Sequence, residues 1–219
     1  MSKRINLNNS TILLVGIILI AIGISVGFIE YFKAKKEKVF SDMNILLYES
    51  EKPELIESEE QLEEKIEQSP VEEEKKEESK EFVYNFIGIL EIPKLYLRRG
   101  FLSLDSRYNN VDYNITVIKG STFPDEENNN LILAAHSGPC SICFFNNLYK
   151  LSIGDSANIR YKNILYSYKI VNIYEVDKDG TVPIYRDYNK NVLTLITCTR
   201  NSNTKQTVYI LELYSKQNI

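Results

Sequence analysis

The chain has 219 residues and a formal net charge of −4, with one histidine, three cysteines and no tryptophan. Charge is spread too unevenly for a single globule: residues 49–81 hold 15 Glu and 5 Lys, a net of −10, whereas residues 82–219 hold 15 basic and 12 acidic residues, a net of +3. That surplus is too small for a nucleic-acid-binding face, and neither a phosphate-cradling glycine loop nor an arginine-rich helix is present.

In chain order, the first element is an uncharged apolar run of 18 residues from Ile12 to Ile29, ILLVGIILIAIGISVGFI, close to the ~20 that cross a bilayer as a helix. A cleaved signal peptide has a shorter apolar core, about 7–15 residues, before a small-x-small site. Here the run leads instead into Glu30, Tyr31, Phe32 and Lys33. The expectation is an uncleaved membrane anchor over residues 12–32, with residues 1–11 as a cytoplasmic N-terminus. A buried helix of a soluble core fits less well, being usually shorter and less uniformly apolar. The basic flanks are Lys3 and Arg4 before the run and Lys33, Lys35, Lys36 and Lys38 after it. Taken alone, the positive-inside bias would place the rest of the chain inside.

Residues 33–81 read as a charged stalk, largely disordered or partly helical, because so little apolar surface cannot offset the entropy of folding. Leu55, Ile56, Leu62 and Ile66 allow one short helical segment. A self-repelling spacer is the plainer reading than an acidic tail seeking a basic partner.

From Phe82 the chain changes to short runs rich in Tyr, Ile, Val and Leu, separated by Gly, Asn, Asp and Pro, the pattern of many short strands. Seven are FIGILEIP from Phe86, ITVIKGS from Ile115, LILAAHS from Leu131, SANIRYKN from Ser156, ILYSYKIVNIYEV from Ile164, LTLITC from Leu193 and TVYILELY from Thr207. An eighth lies near Leu95, the long run from Ile164 has to bend or split, and CFFNNLYKL is the best short helix. Closing such a sheet removes exposed edges. Residues 82–219 are therefore expected to form a mainly β, mostly antiparallel eight-stranded barrel with one or two short helices.

His136 follows the strand LILAA, and Cys198 ends the strand LTLITC. Strand ends of a barrel converge, so the two can share a site. An imidazole beside a thiol raises the thiolate population and can hand a proton to a leaving amine. A guanidinium such as that of Arg200 can stabilise an oxyanion. Taken singly, a strand cysteine is more often a buried small hydrophobe.

Five pieces occur in one order: GILEIPKL at Gly88–Leu95, LILAAHSG at Leu131–Gly138, FFNNLYKLSIGD at Phe144–Asp155, YSYKIV at Tyr166–Val171 and LTLITC at Leu193–Cys198. Together they resemble the sortases, membrane-anchored cysteine transpeptidases of Gram-positive bacteria, over residues 82–213. The resemblance implies a closed eight-stranded barrel on a single-pass anchor in the cell membrane, with the catalytic domain outside. It thereby overrides the basic-flank orientation. It implies that Cys198 attacks the Thr–Gly carbonyl of an LPxTG-like sorting signal on a secreted protein, forming a thioester that an amine resolves. That amine belongs to lipid II or, in the alternative of a pilin-polymerising enzyme, to a pilin lysine. His136 would serve as acid and base, with no metal or organic cofactor.

The family keeps an arginine at the start of the strand after the cysteine, and here that place holds Lys205 and Gln206. Arg200 is expected to reach over the site in its stead, with Lys205 or Gln206 as a substitute donor. Thr197 and Val182 complete the expected substrate-binding set. The short connection from Asp177 to Val192 and the absence of an aromatic lid motif in the stalk favour cell-wall anchoring.

Outside the cell, three cysteines leave one unpaired. Cys140 with Cys143 is the neat pair, leaving Cys198 free. Alternatives are a zinc site of His136, Cys140, Cys143 and Cys198, a redox lock on Cys198, or an inactive sortase-like binding or redox module using Cys140 and Cys143. An L,D-transpeptidase also has Arg two residues after its cysteine, but its SHGC setting is missing. DEENNN at Asp125 and DKDG at Asp177 imitate calcium loops yet read as turns. The resemblance leaves room for a regulatory calcium at Glu126 or Glu127.

Overall fold

The computed structural model describes residues 9–50 and 85–219. The stalk sequence from 51 to 81, including the helical segment expected around Leu55 to Ile66, lies outside the described residues, as do the first eight. Helix α1 spans Asn9–Ser50, so it continues from the apolar run into the first part of the segment read as stalk. The large side chains of residues 13–29 are exposed. Among the described residues, no helix is long and apolar enough to cross a membrane.

The chain divides into two compact units, and the second begins at Asn44. Within this second unit the end of α1 is part of the packing. Ile45 is fully buried against Phe86, Ile89 and Leu102, and Tyr48 donates its hydroxyl to the Ile87 carbonyl at 3.2 Å. Glu49 pairs with Arg98, which also holds Glu91 at 3.0 Å.

The eight strands are β1 Gly88–Ile92, β2 Leu97–Phe101, β3 Thr116–Val117, β4 Asn130–Ala134, β5 Ser156–Tyr161, β6 Ile164–Asp177, β7 Val192–Cys198 and β8 Lys205–Asn218. They form one sheet in the order β2-β1-β5-β6-β8-β7-β4-β3, antiparallel except for β4 and β7. The β5–β6 hairpin turns on Lys162 and Asn163, both at positive φ (48° and 58°), as a two-residue turn matched to strand twist requires. The 14-residue β6 bends without splitting, because its register against β8 shifts at Ser167/Tyr168 and at Ile170/Asn172. Among the described residues 85–219, the helical elements are two 3-10 turns, Pro93–Leu95 and Leu148–Lys150, the second inside CFFNNLYKL.

The barrel is nearly closed, not fully closed as expected. The run from Ile115 yields only a two-residue β3, too short to carry a ladder across to β2. Side chains serve that edge instead. Asn109 donates to the Val117 carbonyl at 2.9 Å and accepts from its N–H at 2.8 Å, and Asn114 donates to the Gly100 carbonyl at 2.8 Å.

Alternation along the strands sorts the core into two layers. Leu131, Leu133, Leu193, Leu195, Tyr209 and Leu211 point inward with Tyr166 and Tyr168. Ile132, Val192, Ile196, Val208 and Ile210 point outward and are covered by Val182 and Ile184 from the β6–β7 connection. Strand β7 is buried on both faces, which is why it reads as a nearly continuous apolar run.

Candidate active site

The parallel pairing of β4 with β7 positions the site. Its register sets Ala134 beside Ile196, and the Ala135 N–H continues it by donating to the Ile196 carbonyl at 3.3 Å. Ile132, Ala134, Val192 and Ile196 belong to the outer layer. Carried two residues further, the alternation sets His136 and Cys198 on that same face at the same ends of adjacent strands. An antiparallel pair could not do this, since equivalent ends would lie at opposite edges.

Two side chains bind these strand ends together. Thr197 donates its hydroxyl to the Ala135 carbonyl at 2.9 Å, and Ser137 donates to the Cys198 carbonyl at 2.8 Å. Thr197 is only 6% exposed and lies on the inner face. The structure therefore does not bring this expected substrate contact to the outer surface, because neighbouring strand residues face opposite ways. Cys198 is a free, half-buried thiol. His136 is 3.2 Å through Nε2 from Asp112 Oδ1. Among the described residues, no hydrogen bond joins His136 to Cys198.

Cys198 lines a cleft of about 690 Å³ with Ser137, Asn146, Lys178, Thr199 and Arg200. The guanidinium of Arg200 lies over the Tyr149 ring, 4.1 Å from its centroid. Gln206 is the cross-strand partner of Cys198 on β8, so the two share a face. Lys205 points the other way and pairs with Glu175 at 3.6 Å. Val182 packs on the outer layer, within a connection pinned by Tyr174, whose hydroxyl donates to the Pro183 carbonyl at 2.8 Å and accepts from the Tyr185 N–H at 2.9 Å.

Sequence reasoning missed Lys178, whose Nζ is 3.7 Å from the Cys198 sulfur, and Asp112, the partner of His136. No local motif marks either one. Ser137 was legible only as the neighbour of the histidine.

Cys140 and Cys143 are joined in a disulfide with their Cα atoms 5.1 Å apart, which takes two of the four ligands of the zinc alternative. Two of the three carboxylates of DEENNN are engaged by their own surroundings: Asp125 pairs with Lys162 at 2.6 Å, and Glu126 accepts from the Phe123 N–H at 2.8 Å. Asp179 of DKDG accepts from the N–H and hydroxyl of Thr181, closing the turn.

A model of the sortase domain matches residues 90–213. Among solved structures, the chain is similar to sortase C-1 of Actinomyces oris at 21% identity, covering 59% of this chain and 72% of that one with a TM-score of 0.53. It is similar to sortase A of Listeria monocytogenes at 20% identity, covering 61% and 90% with a TM-score of 0.52. Sortase C1 of Streptococcus agalactiae matches at 26% identity over 59% and 68% with a TM-score of 0.53. No curated protein matches the chain. The structural likenesses carry the barrel fold, the family match extends over more than half the sequence, and on that ground the chain belongs to the sortase family.

Proposed function

We propose that the chain is a cysteine transpeptidase in which Cys198 is the nucleophile and His136 the proton carrier. The observation that supports this most is the β4–β7 register, which sets the two residues on one face beside an open cleft. The Cys198 thiolate adds to the carbonyl carbon of a scissile Thr–Gly bond in an LPxTG-like signal. The C–N bond then breaks, the leaving amine takes a proton from His136, and a thioester remains. An incoming amine adds to the thioester carbonyl and gives its proton to His136, the C–S bond breaks, and the thiolate is restored. Asp112 orients the imidazole for both transfers. Arg200, on the cleft wall, contacts the substrate backbone, with Gln206 beside Cys198 as a further donor. No metal or organic cofactor takes part.

The acceptor is the peptidoglycan precursor lipid II, in keeping with an outward-facing domain on a single-pass anchor over residues 12–32. Exposed Leu, Ile and Val side chains along residues 13–29 are the surface that lipid would cover. The test is mass spectrometry of the full chain in detergent with LPxTG-like peptides, offered a lipid II stem-peptide amine or a pilin-type lysine peptide. Expected are a thioester on Cys198 and an amide to the stem peptide, both absent in Cys198→Ala and His136→Ala. Transfer by Cys198→Ala would refute the nucleophile, and a product with the lysine peptide alone would move the acceptor to pilins.

A further inference from the structure

We infer that Lys178 is a catalytic residue whose ammonium group supplies the positive charge at the Cys198 sulfur. The inference rests on Cys198 being the nucleophile, and it names a residue that neither the cysteine's own strand nor the one after it carries.

The cations near the site divide by position. Arg200 has its guanidinium over the Tyr149 ring. Lys205 faces away and is paired with Glu175. Gln206 shares the face of Cys198 and is uncharged. Lys178 directs Nζ to the sulfur at 3.7 Å, contact distance for an N–H donor and a large, polarizable acceptor.

Two ladders meeting on β8 hold it there. β6 pairs with β8 as far as Asp177 with Lys205, and β7 pairs with β8 as far as Cys198 with Gln206. The first residue after β6 and the last residue of β7 therefore flank the start of β8 from its two sides, and the long Lys178 side chain spans β8 to the sulfur. The backbone fixes the position further, since the Lys178 N–H donates to the Thr204 carbonyl at 2.7 Å. The side chain lines the same cleft as Cys198, so a carbonyl entering to meet the sulfur also meets the ammonium.

An ammonium carries three donors on a flexible stem and acts as a point charge. It can face the thiolate before attack and turn to the oxyanion as charge passes from sulfur to carbonyl oxygen. Bonds form and break at Cys198 and protons pass through His136; the part of Lys178 is electrostatic.

The test uses the full chain in detergent and two readouts: the rate of Cys198 alkylation by iodoacetamide at neutral pH, and kcat and KM for peptide transfer. Lys178→Met is expected to slow alkylation and lower kcat about tenfold each, the scale of one opposite charge removed from a thiolate about 4 Å away, with KM changed less than about twofold. Lys178→Arg should restore most of both, and Arg200→Ala should act mainly on KM. Because Lys178 is exposed, these variants should fold, and circular dichroism checks it. If Lys178→Met alkylates and turns over like the parent while Cys198→Ala is inactive, the role of Lys178 is overturned and the nucleophile stands. Activity surviving in Cys198→Ala would remove the reading beneath it.

Discussion

Ile45→Ala tests whether the end of α1 belongs to the barrel. Ile45 has no exposed surface and packs against Phe86, Ile89 and Leu102. Truncating a buried Ile to Ala costs about 2–5 kcal/mol, combining lost transfer energy with the cavity left behind. Because this cluster is small and flanked by partly exposed Tyr48 and Tyr108, it can partly collapse, which favours the lower half, about 2–3 kcal/mol. For a domain of this size, 1 kcal/mol moves Tm by roughly 2–4 °C, so a fall of about 5–10 °C is expected in calorimetry of the full chain. Helix propensity does not confuse the outcome, since Ala is the better helix former. Nor do the ion pairs Glu49–Arg98 and Arg98–Glu91, because exposed pairs contribute only about 0–1 kcal/mol each. Leu46→Ala is the control: that side chain is 63% exposed and should leave Tm unchanged. If Ile45→Ala also leaves Tm unchanged, the helix end is not part of the fold, and a domain starting at Phe86 would be complete.

Thr197→Val keeps the shape but removes the hydroxyl that bridges β7 to the Ala135 carbonyl; the loss is expected to be about 1–2 kcal/mol, read as a lower urea midpoint with unchanged slope. At alkaline pH the buried tyrosines come into play. Burial, with the Glu175 carboxylate nearby, pushes the Tyr209 phenol up to about 12 from an ordinary 10.0, and burial also raises Tyr168. The folded value lies above the unfolded one, so stability is complete below pH 10 and is lost as pH rises from there through 12. Thermal scans between pH 9 and 11.5 should show that slope, and Tyr209→Phe should flatten it. Thiol labelling should find one reactive cysteine without reductant and three after a dithiol has opened the Cys140–Cys143 bridge; three at the outset would refute the pairing.

Local chemistry carried much of the fold. Short β-branched and aromatic runs bounded by turn residues located β1, β4, β5, β6, β7 and β8, with period-two alternation clear in β6 and β8, as strands half covered by a core require. The same logic failed at Ile115. Its apolar run is long enough for a strand, but the chain there is held by Asn109 and Asn114 side chains, interactions that leave no periodic trace. The helix end at Asn44–Ser50 was hidden for a different reason: its apolar Ile45, Leu46, Leu47 and Tyr48 stand directly before the Glu- and Lys-rich residues 49–81, and reading 33–81 as one charged segment averages them away.

The amino-acid order alone determined which atoms are chemically able to act, a lone histidine and a cysteine each closing an apolar strand; that Cys140 and Cys143 form a bridge and leave Cys198 free was decided by the structure. Which residues stand beside them was decided only in three dimensions. Lys178 reaches Cys198 because β6 and β7 both pair with β8 and stop one residue apart in register. Asp112 reaches His136 from a loop 24 residues away. Electrostatic partners act through distance in space, and in a sheet that distance is fixed by hydrogen-bond register, which no single strand encodes by itself.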